Sequence, residues 1–453
     1  MGSTKGRTKK REPAFNIADL DPDDLPVNPQ IDKLVSAYID ALGGLVDLQA
    51  RHSVPGAAVM VRQDNKVVHV KCYGFANLET KEKIKPTTVF ELGSLSKQFT
   101  ALAALCVLEE AELELPISKF FRSFPRYADK IKVKDLIHHT SGLPDYAALH
   151  VASRGIEVDW YKEAMQTPDD WYPQMENRIE REVTNKDAQR WIASQKLLPH
   201  KPGFKFDYSN SGYVLLAQVV ERKTGKRLAD VLRELLFEPL GMEDTYMFDE
   251  ARTFPENARQ LVNHAKCYNR VKGQGFVPVG YTPLNFIYGD GNVHSTILDM
   301  ARWEVQLHRL DYATMCSREP GKNYAELKRF RDLIWSPVKV HNKQVNYGAG
   351  WNLLRERDTG RVEENGRKVT RKYESSAEFH RGEWLGWRSY IARATRGVVR
   401  EDESIDPQTW QTLGIVVLSN IEQLNPCDVA QDISRVYWGP LKKDNIMNRF
   451  NCG

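Results

Sequence analysis

Between Ser94 and Glu110 the chain reads Ser-Leu-Ser-Lys-Gln-Phe-Thr-Ala-Leu-Ala-Ala-Leu-Cys-Val-Leu-Glu-Glu. From Gln98 onward this run has helical character and is apolar nearly all round. A helix without a polar face belongs inside a protein, because no side of it gains by facing water. Whatever fold forms must therefore wrap this segment. The wrapping places Ser94 and Lys97 at the start of a buried helix.

The sequence on either side has a different rhythm. Ile31 to about Leu48 carries Leu34, Val35, Tyr38, Ile39 and Leu42 at helical spacing. Ala57 to Val61 and Val67 to Tyr73 are β-rich runs separated by Asp64-Asn65, a hairpin signal. Strand-like runs return at Ser389 to Ala392 and Gly414 to Leu418, and a last helix is expected near Val429 to Tyr437. The middle of the chain is mostly helix and loop. The expected fold class is thus α/β: residues 30–90 plus 345–441 form one discontinuous α/β domain, and 91–344 form a mostly helical domain inserted into it. Residues 1–29 read as a disordered or extended lead-in and 442–453 as a tail. The stretch from about His150 to Asn185, with Trp160, Tyr161, Trp171 and Tyr172, suits a lid or substrate wall as well as a self-packed excursion.

Bulk composition excludes more than it assigns. The 64 basic and 60 acidic side chains nearly cancel, which gives no reason to expect nucleic acid as partner. The basic cluster Lys5, Arg7, Lys9, Lys10 and Arg11 reads as a solvated tail. No stretch approaches the run of ~18 apolar residues that a membrane span needs, and no apolar segment follows the charged N-terminus as in a secretory signal. Six cysteines are scattered without Cys-x-x-Cys spacing, so free thiols in the cytoplasm are expected. No cofactor or metal is expected: there is no His-Glu-x-x-His, and His138-His139 suits turn support better than zinc.

Three short motifs carry chemistry. Residues i and i+3 share a helix face, so Lys97 can lie beside the Ser94 hydroxyl. Serine is inert at neutral pH unless a base takes its proton, and a lysine serves as that base only where its surroundings favour the neutral amine. A helix start also offers backbone N–H groups to a developing oxyanion. Alone, Ser-x-x-Lys occurs by chance in a chain of this length. The second motif is Tyr208-Ser209-Asn210, in which a phenol can shuttle a proton and a carboxamide can hold both lysine and substrate. In isolation it is an ordinary turn with a buried tyrosine. The third is His380-Arg381-Gly382, where a glycine lets a substrate backbone approach a strand edge. By itself, His380 would be a hydrogen-bonded structural histidine.

Taken in order, Ser94-x-x-Lys97, Tyr208-x-Asn210 and His380-x-Gly382 resemble the three motifs of the serine β-lactamase and penicillin-binding-protein superfamily. The tyrosine in second place is similar to the class C pattern. His138-His139-Thr140-Ser141-Gly142-Leu143-Pro144, Asp207 to Tyr213, Pro239 to Met242, Gly289 to Trp303, Tyr347 to Trp351 and Val416 to Asn420 are further similar stretches, so the likeness covers roughly residues 31 to 440. It implies an antiparallel sheet flanked by helices, with the inserted helical domain facing it across the site. It also implies roles: Ser94 as nucleophile, Lys97 and Tyr208 jointly as proton carriers, and Asn210 as the group orienting lysine and substrate. His380 and Gly382 would line the strand wall, and the backbone N–H groups of Ser94 and Glu383 would form the oxyanion hole.

The chain departs from the β-lactamase pattern in two places. His380 stands where a lysine would supply a fixed cation, with Arg381 and Arg388 as possible substitutes, and Ala111 replaces a glycine after the nucleophile's helix. Relatives with His-x-Gly look like class C-related esterases, D-aminopeptidases and amidases. The expected function is therefore hydrolysis of a small ester, amide or D-amino-acid peptide through an acyl-enzyme. Acyl transfer, β-lactamase or D,D-peptidase activity, and a non-catalytic binding protein on the same fold stand as alternatives. Oligomeric state is not legible.

Overall fold

The computed structural model describes residues 20–43, 53–146, 183–248, 263–279, 283–316, 324–364, 367–400, 405–406 and 408–438. The aromatic stretch proposed as a lid, residues 147–182, and both terminal tails beyond residues 20 and 438 lie outside them.

Helix α1 (Pro29–Gly43) leads into the strands β1 (Ala57–Gln63) and β2 (Lys66–Tyr73), followed by a short strand β3 (Phe90–Glu91) and the buried helix α2 (Ser96–Val107). Helix α3 (Asn210–Thr224), strands β4 (Tyr246–Met247) and β5 (Val293–Ser295), and helices α4 (Ile297–Asp311) and α5 (Tyr324–Trp335) make up the middle. The chain closes with β6 (Asn352–Glu364), β7 (Arg367–Trp384), β8 (Trp387–Val398), β9 (Gln411–Ser419) and helix α6 (Pro426–Trp438). Six strands form one antiparallel sheet in the order β6-β7-β8-β9-β1-β2, so the two ends of the chain meet at its centre through β1 and β9. Strands β3, β5 and β4 form a separate small sheet.

Alternation along the strands explains the layers. In β1, Ala57, Val59 and Val61 join one apolar cluster with Ile31, Val35 and Ile39 of α1 and Val429 and Ile433 of α6. Ala58 and Met60 point the other way, into a larger cluster with Leu95, Phe99, Leu216 and Trp303. Side chains two apart share a face of a strand, so one run of small and β-branched residues serves both cores. The hairpin turns at Asp64, whose φ of 50° lies in the left-handed region that aspartate tolerates in turns.

Two local readings are refined. The apolar helix ends at Val107, because Leu108 is extended at φ −101° and ψ 139°, and Ala111 falls in a separate helical turn, Glu110–Leu113. Helix α4 comes from the middle of the chain yet packs on β1 and β9. It starts on Thr296, whose hydroxyl accepts from the Asp299 N–H at 3.2 Å, a common N-cap.

The thiol expectation needs correction. Cys72, Cys106 and Cys267 are free, but Cys427 is disulfide-bonded to a side chain outside the described set. Among the described residues no helix is long and apolar enough to cross a membrane.

Candidate active site

Helix α2 is fixed by hydrogen bonds to the segment around residues 289–303. The Thr100 hydroxyl donates to the Gly289 carbonyl at 2.7 Å, Ser96 Oγ accepts from the Val293 N–H at 3.0 Å, and Gln98 accepts from the Trp303 indole at 3.0 Å. These contacts bring the Asp290 carbonyl to the start of the helix. Lys97, fully buried at 0% exposure, directs Nζ at three acceptors: Ser94 Oγ at 3.0 Å, Asn210 Oδ1 at 2.9 Å and the Asp290 carbonyl at 2.8 Å. An ammonium has three donors, and each of them is used.

Asn210 sits at the first turn of α3 and is held from behind. Its Nδ2 donates to Asp145 Oδ2 at 3.0 Å, in the loop that follows the His-Thr-Ser-Gly turn. His139 anchors that turn: its Nδ1 accepts from the Ser209 N–H at 3.1 Å, and its ring lies 4.2 Å from the Tyr208 ring, centroid to centroid. His138 donates from Nδ1 to the Tyr347 carbonyl at 3.0 Å. Both imidazoles therefore act as struts. Among the described residues no group of three or more His, Cys, Asp or Glu is placed to hold a metal ion.

Tyr208 lies at the surface, 39% exposed, with Lys97 Nζ 5.0 Å from its ring centroid. Its hydroxyl makes no hydrogen bond to Ser94 or Lys97 here; the ring face is what adjoins the lysine. Ser94 and Lys97 are thus joined directly, and Tyr208 flanks them.

The strand wall is β7. Gly382 pairs with Ser389 of β8, whose hydroxyl donates to the Leu92 carbonyl at 2.7 Å. A Cβ on Gly382 would stand 1.9 Å from that carbonyl oxygen, so only glycine lets β7 approach the Ser94 turn. Gly93 is the complementary requirement: its φ is +52°, and a Cβ there would meet the Glu383 nitrogen at 2.8 Å. The Glu383 backbone therefore lies against the residue that precedes the candidate nucleophile.

His380 is buried, and burial, aided by the Lys97 charge, pushes its pKa down to about 3. Its Nδ1 lies 2.7 Å from the Arg381 carbonyl, which can only accept, so Nδ1 carries the hydrogen. Nε2 then accepts from the Tyr347 hydroxyl at 2.9 Å. A neutral imidazole with both nitrogens engaged offers no cation to a substrate carboxylate. The two arginines do not supply an idle one: Arg381 pairs with Glu383, and Arg388 pairs with Glu422 at 3.0 Å. The expected outcome is measurable by NMR of histidine-labelled protein. The His380 ring should keep the Nδ1–H tautomer and not titrate between pH 5 and 9; an inflection near pH 6.5 would contradict this reading. The sign follows from linkage: the depressed folded pKa stabilises the fold above pH ~6.5, and that contribution is lost as pH falls toward 3.

Ser94, Asn210 and Glu383 open into a cavity of about 300 Å³ that Glu91, Tyr146, Leu284, Ile287, Asp290, Trp384 and Arg388 also line. Of the residues that shape the site, Asp290, Asp145 and Tyr347 were missed by sequence reasoning. Asp290 acts through a backbone carbonyl, which any residue could provide. Asp145 had a usable signal, its position directly after the His-Thr-Ser-Gly-Leu-Pro run.

Comparison with known proteins places relatives beside this chain. Penicillin-binding protein 4* of Bacillus subtilis (strain 168) is 27% identical over 328 residues, 70% of this chain and 63% of that protein. D-aminopeptidase of Gluconobacter oxydans (strain 621H) is 26% identical over 261 residues, 57% of this chain and 43% of that protein. The matches thus span roughly half the length of these curated relatives. The octameric penicillin-binding protein homologue from Pyrococcus abyssi superimposes with a TM-score of 0.60 at 22% identity, over 90% of this chain and 77% of that one, which is a likeness of fold. The Beta-lactamase family model matches residues 31–436, all of the sheet and all of the site. By that match the chain belongs to the Beta-lactamase family.

Proposed function

We propose that this protein is a serine hydrolase that forms an acyl-enzyme on Ser94 and cleaves a small ester, amide or D-amino-acid peptide. The observation that carries the proposal is the 3.0 Å contact between Lys97 Nζ and Ser94 Oγ at the mouth of a cavity. In the reactive state the neutral amine accepts from the serine hydroxyl across that same distance, and Ser94 Oγ attacks the acyl carbon. Tyr208, on the open side of Lys97, carries the proton on to the leaving group. The backbone N–H groups of Ser94 and Glu383 face the oxyanion, a contribution typically worth ~10²–10³ in turnover per donor. Asn210 holds the lysine and the substrate carbonyl. Water then attacks the acyl-serine, and the same pair handles its proton. The similarity to D-aminopeptidases favours amide and peptide substrates.

The test is intact-protein mass spectrometry with a fluorophosphonate and with a slowly hydrolysed ester. A single adduct on the wild type, mapped to the Ser94 peptide and absent from Ser94→Ala, is the expected result. A wild type left unmodified while a control serine hydrolase is labelled would sink the proposal.

A further inference from the structure

The loop that carries Asp290 is held tightly against Lys97. The Thr100 hydroxyl fixes the Gly289 carbonyl, and a Cβ on Gly289, at φ +104°, would stand 2.6 Å from the Tyr213 carbonyl oxygen of α3. The next residue, Asp290, gives Lys97 Nζ a carbonyl at 2.8 Å. Any residue would supply that carbonyl; the carboxyl is particular to aspartate. It is closed off from solvent. Asp290 is 7% exposed, its Oδ1 is buried with no donor, and its Oδ2 accepts from the buried Tyr146 hydroxyl at 2.9 Å. A carboxyl so enclosed does not meet a substrate, and the cation whose field it feels is Lys97.

Burial raises the Asp290 carboxyl to about 6, against the Lys97 charge and then the Tyr146 hydrogen bond, so an anion stands there at neutral pH. The other titratable groups around the pair add no second cation. Asp145, whose Oδ2 accepts from Asn210 at 3.0 Å, and Glu91 of β3 are both carboxyls within the field of this site. His139 and, on β7, His380 are held neutral by burial first and by the Lys97 charge next. Tyr208 and Tyr213 turn ring faces to Nζ, with centroids at 5.0 and 5.7 Å.

When Ser94 Oγ bonds to the acyl carbon, its proton passes to the Lys97 amine, and Nζ becomes a cation. That charge lasts until the bond to the leaving group breaks and the departing group takes a proton by way of Tyr208. A fixed anion that meets the charge as it forms stabilises the step and strengthens the base.

We infer that the Asp290 carboxylate, braced by Tyr146, is the counter-charge to Lys97 during acylation of Ser94. Asp290 is a positioning residue in this role, acting through the lysine. The inference rests on the Ser94 hydrolase reading and adds a member to its machinery.

Asp290→Asn keeps the shape of the side chain and an oxygen for the Tyr146 hydroxyl. The first measurement is kcat/KM for p-nitrophenyl propionate, which carries no titrating group, from about pH 5 to 9. The variant should lose about tenfold on the plateau, and its acid limb should move down by about one pH unit. Tyr146→Phe should shift both in the same direction by less. A plateau that falls with the acid limb unmoved would reduce Asp290 to packing and overturn the inference, as would a wild-type profile. The second measurement needs no turnover: NMR of lysine-labelled protein, with the Lys97 signal assigned by its loss in Lys97→Met. If Nζ gives up its proton about one pH unit lower in Asp290→Asn than in the wild type, the counter-charge is supported even where no ester is cleaved. Coincident titrations overturn it and leave the hydrolase reading to stand on the wild-type activity.

Discussion

Replacing Lys97 with methionine is expected to slow acylation of Ser94 by roughly 10⁴-fold or more, the scale on which a nucleophile–base unit fails when one member is removed. Methionine approximates the length of the stem, so the buried path through α2 stays filled. What disappears is the Nζ that lies 3.0 Å from Ser94 Oγ, together with the donor shared by Asn210 and the Asp290 carbonyl. Lys97→Arg should fail almost as completely. It keeps a charge, but a guanidinium does not deprotonate and its planar fork does not fit three convergent acceptors. The measurement is the rate of adduct formation with an activated ester, followed by mass spectrometry. A Lys97→Met protein that acylates within tenfold of wild type would remove lysine from the mechanism and leave the proton to Tyr208.

The second large effect concerns stability. Under α4, against the sheet, Glu304 is completely buried between two arginines. Its carboxylate accepts from Arg62 Nε at 2.7 Å and Nη2 at 2.8 Å, and Arg393 Nε lies 3.5 Å away. Asp311, from the last turn of the same helix, takes Arg331 Nε at 2.9 Å and also pairs with Arg393. Burial alone would raise the Asp311 carboxyl; the Arg393 and Arg331 guanidiniums overcome it and hold the pKa below the usual carboxylate range. Glu304→Ala leaves two guanidiniums buried with half their compensation and should cost about 3–5 kcal/mol. Glu304→Met combined with Arg62→Met should cost less than Glu304→Ala, since it removes a charge from each side and fills the space. Denaturant unfolding curves at pH 7 would read both. A Glu304→Ala midpoint unchanged from wild type would show that water, not the pair, satisfies Arg62.

Much of this was legible before any coordinates. The nearly all-round apolar character of Gln98 to Glu110 called for a buried helix, and Phe99, Ala101, Leu102, Ala103 and Ala104 join the larger core. The β-rich runs Ala57 to Val61 and Val67 to Tyr73, with the Asp64-Asn65 break between them, gave the hairpin. The order of the three motifs, with their flanking stretches, led to the family. The arginines under α4 gave no such signal: Arg62, Glu304, Asp311 and Arg393 are up to some 330 residues apart and read as ordinary surface charges. The charge of His380 was equally hidden, because it depends on Tyr347 and on the depth of burial.

The sequence by itself determined which groups are present and what period each segment follows, since periodicity and side-chain chemistry are properties of a local stretch. It therefore yielded the buried helix, the hairpin, and Ser94, Lys97 and Tyr208 as the proposed reacting set. Distances between remote segments, and the solvation each charge loses on burial, exist only once the chain has closed on itself. That is why the carbonyl at Lys97 and the neutrality of His380 were for the tertiary structure alone to decide.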